Sequence, residues 1–297
     1  MRFNEGADLD TSQVTDQRGM GGRIAAGGGG LGILGLVLYF VISQFGGGGG
    51  TALPPGFGDI GQGEQVGSSS LAERCKTGAD ANREADCRAV AFINSIQSFW
   101  TSRLDGYQEA ETNFFSGGVQ TGGCGSATSA TGPFYCPADA EVYIDLTFFQ
   151  EMESKFGAQG GPFVEGYILA HEYGHHVQNL LGTSRQVGNA SGPKSGSVRL
   201  ELQADCYAGA WANHATTTPT ETGEPLITEV TREDIAAALD AASRIGDDYI
   251  QKELGGGSVD TTQFTHGSSA QRQKWYTIGY ETGDPNRCDT FATDDLG

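Results

Sequence analysis

The pattern of apolar and polar positions changes character several times along the chain. Residues 1–23 are polar and mixed in charge, and no packed element is readable there. Residues 24–45 carry no charge, and their second part, LGILGLVLYFVISQF, is almost wholly apolar. A bilayer-spanning helix needs about 20 such residues, and glycine is tolerated within one. The pattern therefore predicts one transmembrane helix over 24–45. A cleaved signal peptide, with Gly50-Thr51-Ala52 as its small-residue site, and a glycine-rich core helix are the alternatives. Residues 46–70 are rich in Gly, Ser and Pro and read as a flexible tether. A single domain is expected over 71–297, where about 220 residues suffice for a sizeable core.

Within that domain helical spacing dominates. Val90, Ile93, Ile96, Trp100 and Leu104 recur on one face and predict a helix over 85–104. Residues 112–137 read as a Gly/Ser/Thr-rich loop. Residues 141–146 alternate as a strand, and 148–156 read as a short helix. A strong helix is expected over 162–181, opened by Pro162 and closed by Gly182. Others are expected over 198–214, over 231–254 with Thr231 as cap, and from Ser268 or Ser269 toward Tyr280. The fold class expected is α+β, mostly α, with one short strand or small sheet, preceded by the transmembrane helix.

Charge and cysteines add to this. With 18 basic and 37 acidic residues the formal charge is −19, which argues against a nucleic-acid partner, since phosphate binding needs clustered Lys and Arg. Arg2, Arg18 and Arg23 precede the apolar stretch and the next basic residue is Arg74. The positive-inside rule then places the N-terminal segment in the cytoplasm and the domain outside. Secretion after signal cleavage is the alternative. The six cysteines, none in a CxxC pair, all fall on the outer side, where disulfides persist. Local pairing suggests Cys75–Cys87 and Cys124–Cys136, with Cys206–Cys288 as the long closure.

The helix over 162–181 contains His171-Glu172-Tyr173-Gly174-His175. Histidines four apart lie on one helix face and can hold one metal ion, while Glu172 can reach a water on it, the arrangement of zinc hydrolases. A third ligand is needed. Gln178 and Leu181 stand where the extended metzincin motif requires Gly and His, so that class is excluded. On the next helix Glu201 and Asp205 are again four apart. Glu201 is expected as third ligand and Asp205 as the carboxylate that orients His171, with the reverse assignment as alternative. His266, just before a helix, is a candidate oxyanion donor, and Arg272 a donor or a lock on the acidic residues; a purely structural role is open for both. His176 reads as structural or cleft-lining, and His214 as a surface or cap residue. The strand over 142–146 is either a plain core strand or an edge that pairs with extended substrate.

Together these residues resemble the neutral zinc metallopeptidase family, the YpfJ-like group. The resemblance spans nearly the whole chain: Asp16-Gln-Arg18-Gly19, Phe134-Tyr-Cys136-Pro-Ala-Asp139, Val142-Tyr-Ile-Asp145, the block from His171 to Gln178, Glu201-Leu-Gln-Ala-Asp205-Cys, and Thr265-His266 through Arg272. The blocks around Glu201 and Arg272 are also similar to membrane-linked gluzincins of the HtpX type, which likewise implies Glu201 as ligand and Asp205 as orienter. The resemblance implies a zincin-like, membrane-associated peptidase that uses one Zn²⁺, has a protein or peptide substrate and needs no small-molecule cofactor. A non-catalytic adaptor of the same fold and a zinc hydrolase of another bond are the other readings.

Overall fold

The computed structural model describes residues 1–18, 70–220 and 223–297. The chain begins with β1 (Arg2–Phe3) and β2 (Val14–Asp16). Two single-turn helices lead into α1 (Ala85–Arg103). There follow β3 (Thr112–Phe115), the hairpin of β4 (Gly118–Gln120) and β5 (Ser126–Thr128), then β6 (Phe134–Cys136) and β7 (Glu141–Asp145). The second half is helical: α2 (Phe148–Ser154), α3 (Pro162–Leu180) and α4 (Gly196–His214), then, after the short strand β8 (Ile227–Glu229), α5 (Arg232–Arg244) and α6 (Ser269–Thr282).

Local chemistry sets the helix ends. Pro162 occupies the first turn of α3, where its missing N–H costs nothing. Thr231 with Asp234, and Ser268 with Gln271, form reciprocal capping boxes at α5 and α6. Gly283 ends α6 in the left-handed conformation.

The core lies where α1, α3 and α4 meet. Phe92, Phe163 and Trp211, one from each helix, pack with ring centroids 5.6–6.4 Å apart. Two glycines bring backbones together. A Cβ on Gly174 would stand 3.0 Å from Ala204 Cα, so its absence lets α3 meet α4 at the level of the HExxH block. A Cβ on Gly279 would lie 1.9 Å from the Cys206 carbonyl oxygen, so α6 crosses α4 backbone to backbone. Beside the helices, four strands form a sheet in the order β2-β3-β7-β6. β2, β3 and β7 run parallel and β6 is antiparallel to β7.

Several expectations change. Among the described residues no helix is long and apolar enough to cross a membrane. The transmembrane helix expected over 24–45 is therefore no part of the fold observed; that stretch, like most of the tether, lies outside the described residues. Residues 1–23 are expected as a separate cytoplasmic segment without packed elements, and of these 1–18 are described. Instead β2 pairs with β3, β1 pairs with β8, Phe3 is buried, and Arg18 reaches Asp86 at 3.0 Å. The stretch 112–137 is not one loop but holds β3 to β6, whose runs of three or four residues are too short for a periodic signal. The helix expected over 231–254 breaks at Gly246, which takes an extended conformation (φ −71°, ψ 143°) and, having no Cβ, packs directly on the Ser269 backbone, whose nitrogen is 2.4 Å from where a Cβ would stand. Beyond the break a turn at Asp247–Tyr249 runs into a π-helical Ile250–Leu254. Finally, β7 is flanked by β3 and β6, so it is an interior strand of the sheet.

The disulfides join Cys75 to Cys87, Cys124 to Cys136 and Cys206 to Cys288, the same pairs read from the sequence.

Candidate metal centre and cleft

α3 and α4 turn their polar positions toward each other. From α3 come His171, Glu172 and His175; from α4, Glu201 and Asp205. One ligand atom each of His171, His175 and Glu201 lies within 4.8 Å of the others. His171 Nε2 is 3.2 Å from Glu201 Oε2, and His175 Nε2 is 3.5 Å from Glu201 Oε1. Two imidazole nitrogens and a carboxylate converging in this way are a donor set that suits zinc and leaves a position open. Asp205 stands outside the convergence, on the far ring nitrogen of His171, with Oδ1 2.9 Å from Nδ1.

Asp205 is the hub of a buried network. It is fully buried and accepts from Tyr167 Oη at 2.7 Å and from Arg272 Nε and Nη2 at 2.8 and 2.9 Å. Burial alone would raise its pKa, but Arg272 and His171 outweigh burial and hold the carboxyl below its ordinary value. Burial likewise disfavours the His171 cation, yet Asp205 and Glu201 raise that histidine to about 10 in the metal-free protein. Burial also works against the Glu201 carboxylate, and His175 and His171 reverse it, leaving the group well below the carboxylate range. Metal binding at the ring nitrogens requires the His171 proton to leave. Glu172 is different: burial pushes its carboxyl up, with His175 and His171 opposing.

His266 lies across the cleft. Asp247 fixes the loop that carries it, Oδ2 accepting the backbone N–H groups of Thr265, His266 and Gly267 at 2.7–2.9 Å. The His266 ring presents Nδ1 to Asp247 Oδ1 at 3.2 Å and to Thr265 Oγ1 at 2.9 Å, so Nε2 remains for the cleft. The break at Gly246 frees Asp247 for this task. Sequence reading missed Asp247, having placed it inside a continuous helix, and had no role for Tyr167. It used Gln178 only to exclude a class, yet Gln178 Oε1 sits 2.9 Å from His175 Nδ1. The only hint was its spacing, three residues past His175. His176 is a buried structural residue held by the Gln108 carbonyl and Tyr135 Oη. His214 ends α4 and bonds the Gly283 carbonyl oxygen.

A cavity of about 360 Å³ opens over the centre. His171, Glu172, His175, Glu201 and His266 line its floor and rim; β6 with the residues before it forms one wall. Phe148, Phe156, Ile168, Ile245 and Ile250 make much of its lining apolar.

Comparison with known proteins places this geometry. The family model described as putative neutral zinc metallopeptidase matches residues 3–291. The chain belongs to this family. Zinc is the metal expected of a zinc peptidase, and the His171, His175 and Glu201 group fits it. An uncharacterized protein of Mycobacterium bovis and one of Mycobacterium tuberculosis are each 54% identical to this family member over 226 residues, covering 75% of the chain and 76% of the relative. The uncharacterized YpfJ of Escherichia coli is 45% identical over 193 residues, 63% of each chain. No solved structure matches. Membership supports a zinc protease acting on peptide or protein.

Proposed function

We propose that the protein is a zinc-dependent endopeptidase that cleaves a peptide bound in the cavity above His171, His175 and Glu201. The convergence of those three side chains within 4.8 Å, with Glu172 beside them at the cavity floor, carries the reading. A zinc ion held there would supply an acidified water and polarise the scissile carbonyl.

The remaining chemistry belongs to the chain. Glu172, with a carboxyl raised by burial, is suited to take a proton from the attacking water and return it to the leaving nitrogen. His266 Nε2 is placed to donate toward the oxygen that gains charge in the transition state. Asp205, itself clamped by Arg272 and Tyr167, accepts from His171 Nδ1 and keeps Nε2 directed at the centre. The apolar lining from Phe148 to Ile250 suits a bulky apolar side chain next to the scissile bond.

The test is Glu172→Ala. The variant is expected to bind one equivalent of zinc and to lose cleavage of an unfolded protein substrate by about 10²-fold or more. Cleavage at the unsubstituted rate would refute the mechanism.

A further inference from the structure

The centre is wired to the far end of the chain through two glutamines. Gln178 and Gln203 are both buried. Gln203 Nε2 donates to the Cys288 carbonyl oxygen at 3.0 Å. Gln178 Nε2 donates to the Leu200 carbonyl oxygen at 2.7 Å and to Gln203 Oε1 at 3.1 Å. A backbone carbonyl only accepts, so each amide has one possible orientation. The carbonyl of Cys288 forces Gln203 to turn its NH₂ outward and its Oε1 toward Gln178. The Leu200 carbonyl and Gln203 Oε1 then force Gln178 to direct its own Oε1 at His175. Facing an obligate acceptor at 2.9 Å, His175 Nδ1 must carry the proton. The lone pair is thereby left on Nε2, the nitrogen that faces Glu201.

We infer that Gln178 is the positioning residue for His175, and that the Cys206–Cys288 closure sets its polarity through Gln203. The inference rests on the reading of His175 as a zinc ligand. His171 takes its orientation from a charged partner, Asp205; His175 takes its orientation from a neutral relay that ends on the disulfide-tethered segment. Cys288 is held there by its bond to Cys206 on α4 and by the Thr290 N–H at 2.9 Å on the same carbonyl. A change in that segment reaches the metal centre without touching a ligand.

The experiment measures zinc dissociation constants of the full chain by competition with a chromophoric chelator, alongside melting temperatures in excess chelator. Gln178→Met removes the acceptor on Nδ1 and is expected to weaken zinc binding about 10–100-fold. Gln203→Met spares every contact to His175 except through Gln178 and is expected to weaken binding by a smaller factor in the same direction. Gln178→Glu still accepts from His175 but turns lone pairs toward the Leu200 carbonyl and Gln203 Oε1. It is expected to hold zinc close to the unsubstituted affinity while melting at a lower temperature. That split between affinity and stability separates positioning from mere support. Unchanged affinity in Gln178→Met overturns the inference, as does a Gln178→Glu variant that loses zinc in step with its stability. If the unsubstituted chain binds no zinc, the metal reading itself fails and the inference with it, an outcome distinct from the other two.

Discussion

Arg272→Met tests the Asp205 hub most directly. Arg272 is 2% exposed and Asp205 0%, and they form two hydrogen bonds of 2.8 and 2.9 Å. Taking the guanidinium away leaves a carboxylate in the interior with its main counter-charge gone. Breaking a buried pair from one side costs about 3–5 kcal/mol. Tyr167 Oη and His171 stay on Asp205, and His171 can remain protonated in the metal-free protein, so the low end applies, about 3 kcal/mol. For a chain of this size that corresponds to roughly 6–12 °C in melting temperature. The assay is calorimetry at pH 7 in excess chelator. Adding Asp205→Asn in the Arg272→Met background removes the unpaired charge while keeping an acceptor for Tyr167, and should recover at least half of the loss. A fall below about 2 °C in the single variant, or a double variant no more stable than the single, would refute the account of Asp205 as a buried, paired anion.

His266→Ala should lower kcat about 10²–10³-fold, as removal of one oxyanion donor does, with zinc stoichiometry unchanged; a variant that loses zinc instead would show that His266 supports the metal. Stability of the metal-free protein should fall at both ends of the pH scale. Asp86, buried but held down by Arg74 and Arg18, and Asp247, buried but held down by His266 and by backbone N–H groups, have depressed pKa values. Their contribution is present above about pH 4 and is lost as pH falls through the folded values. His171 and His266 are raised, burial being outweighed by their carboxylate partners, so their contribution is present below about pH 6.5 and fades as pH rises, for His171 toward pH 10. Melting curves from pH 3 to 10 in chelator, repeated with Asp86→Asn, check the acid limb; an acid limb of unchanged steepness in that variant would remove Asp86 from the explanation.

The centre was legible in the sequence because helix geometry is local. Spacings of four put His171 with His175 and Glu201 with Asp205, and Pro162 and the capping residues marked the helices that carry them. What stayed hidden depends on contacts between segments far apart. Asp247 looked like one more acid in a long helix until Gly246 met Ser269. Gln178 gains its role only because Leu200, Gln203 and Cys288 surround it. The strand that borders the cleft, β6, was invisible at three residues, and the longer, clearly alternating β7 proved to be interior. The N-terminal segment misled for the same reason: β1 and β2 have two and three residues, and their partners lie in other parts of the chain.

That last feature governs the order of events during synthesis. β2 pairs with β3, Val14 opposite Thr112, and β1 with β8, Arg2 opposite Glu229. At about 5–20 residues per second a ribosome makes β2 roughly 5–20 s before its partner exists, and β1 roughly 11–45 s before. In the interval Asn82 can already hold Phe3, accepting from its N–H at 3.0 Å and donating to its carbonyl oxygen at 3.1 Å. β1 thus completes its ladder only after most of the domain has been made, and until then that edge is open to whatever else binds a nascent chain.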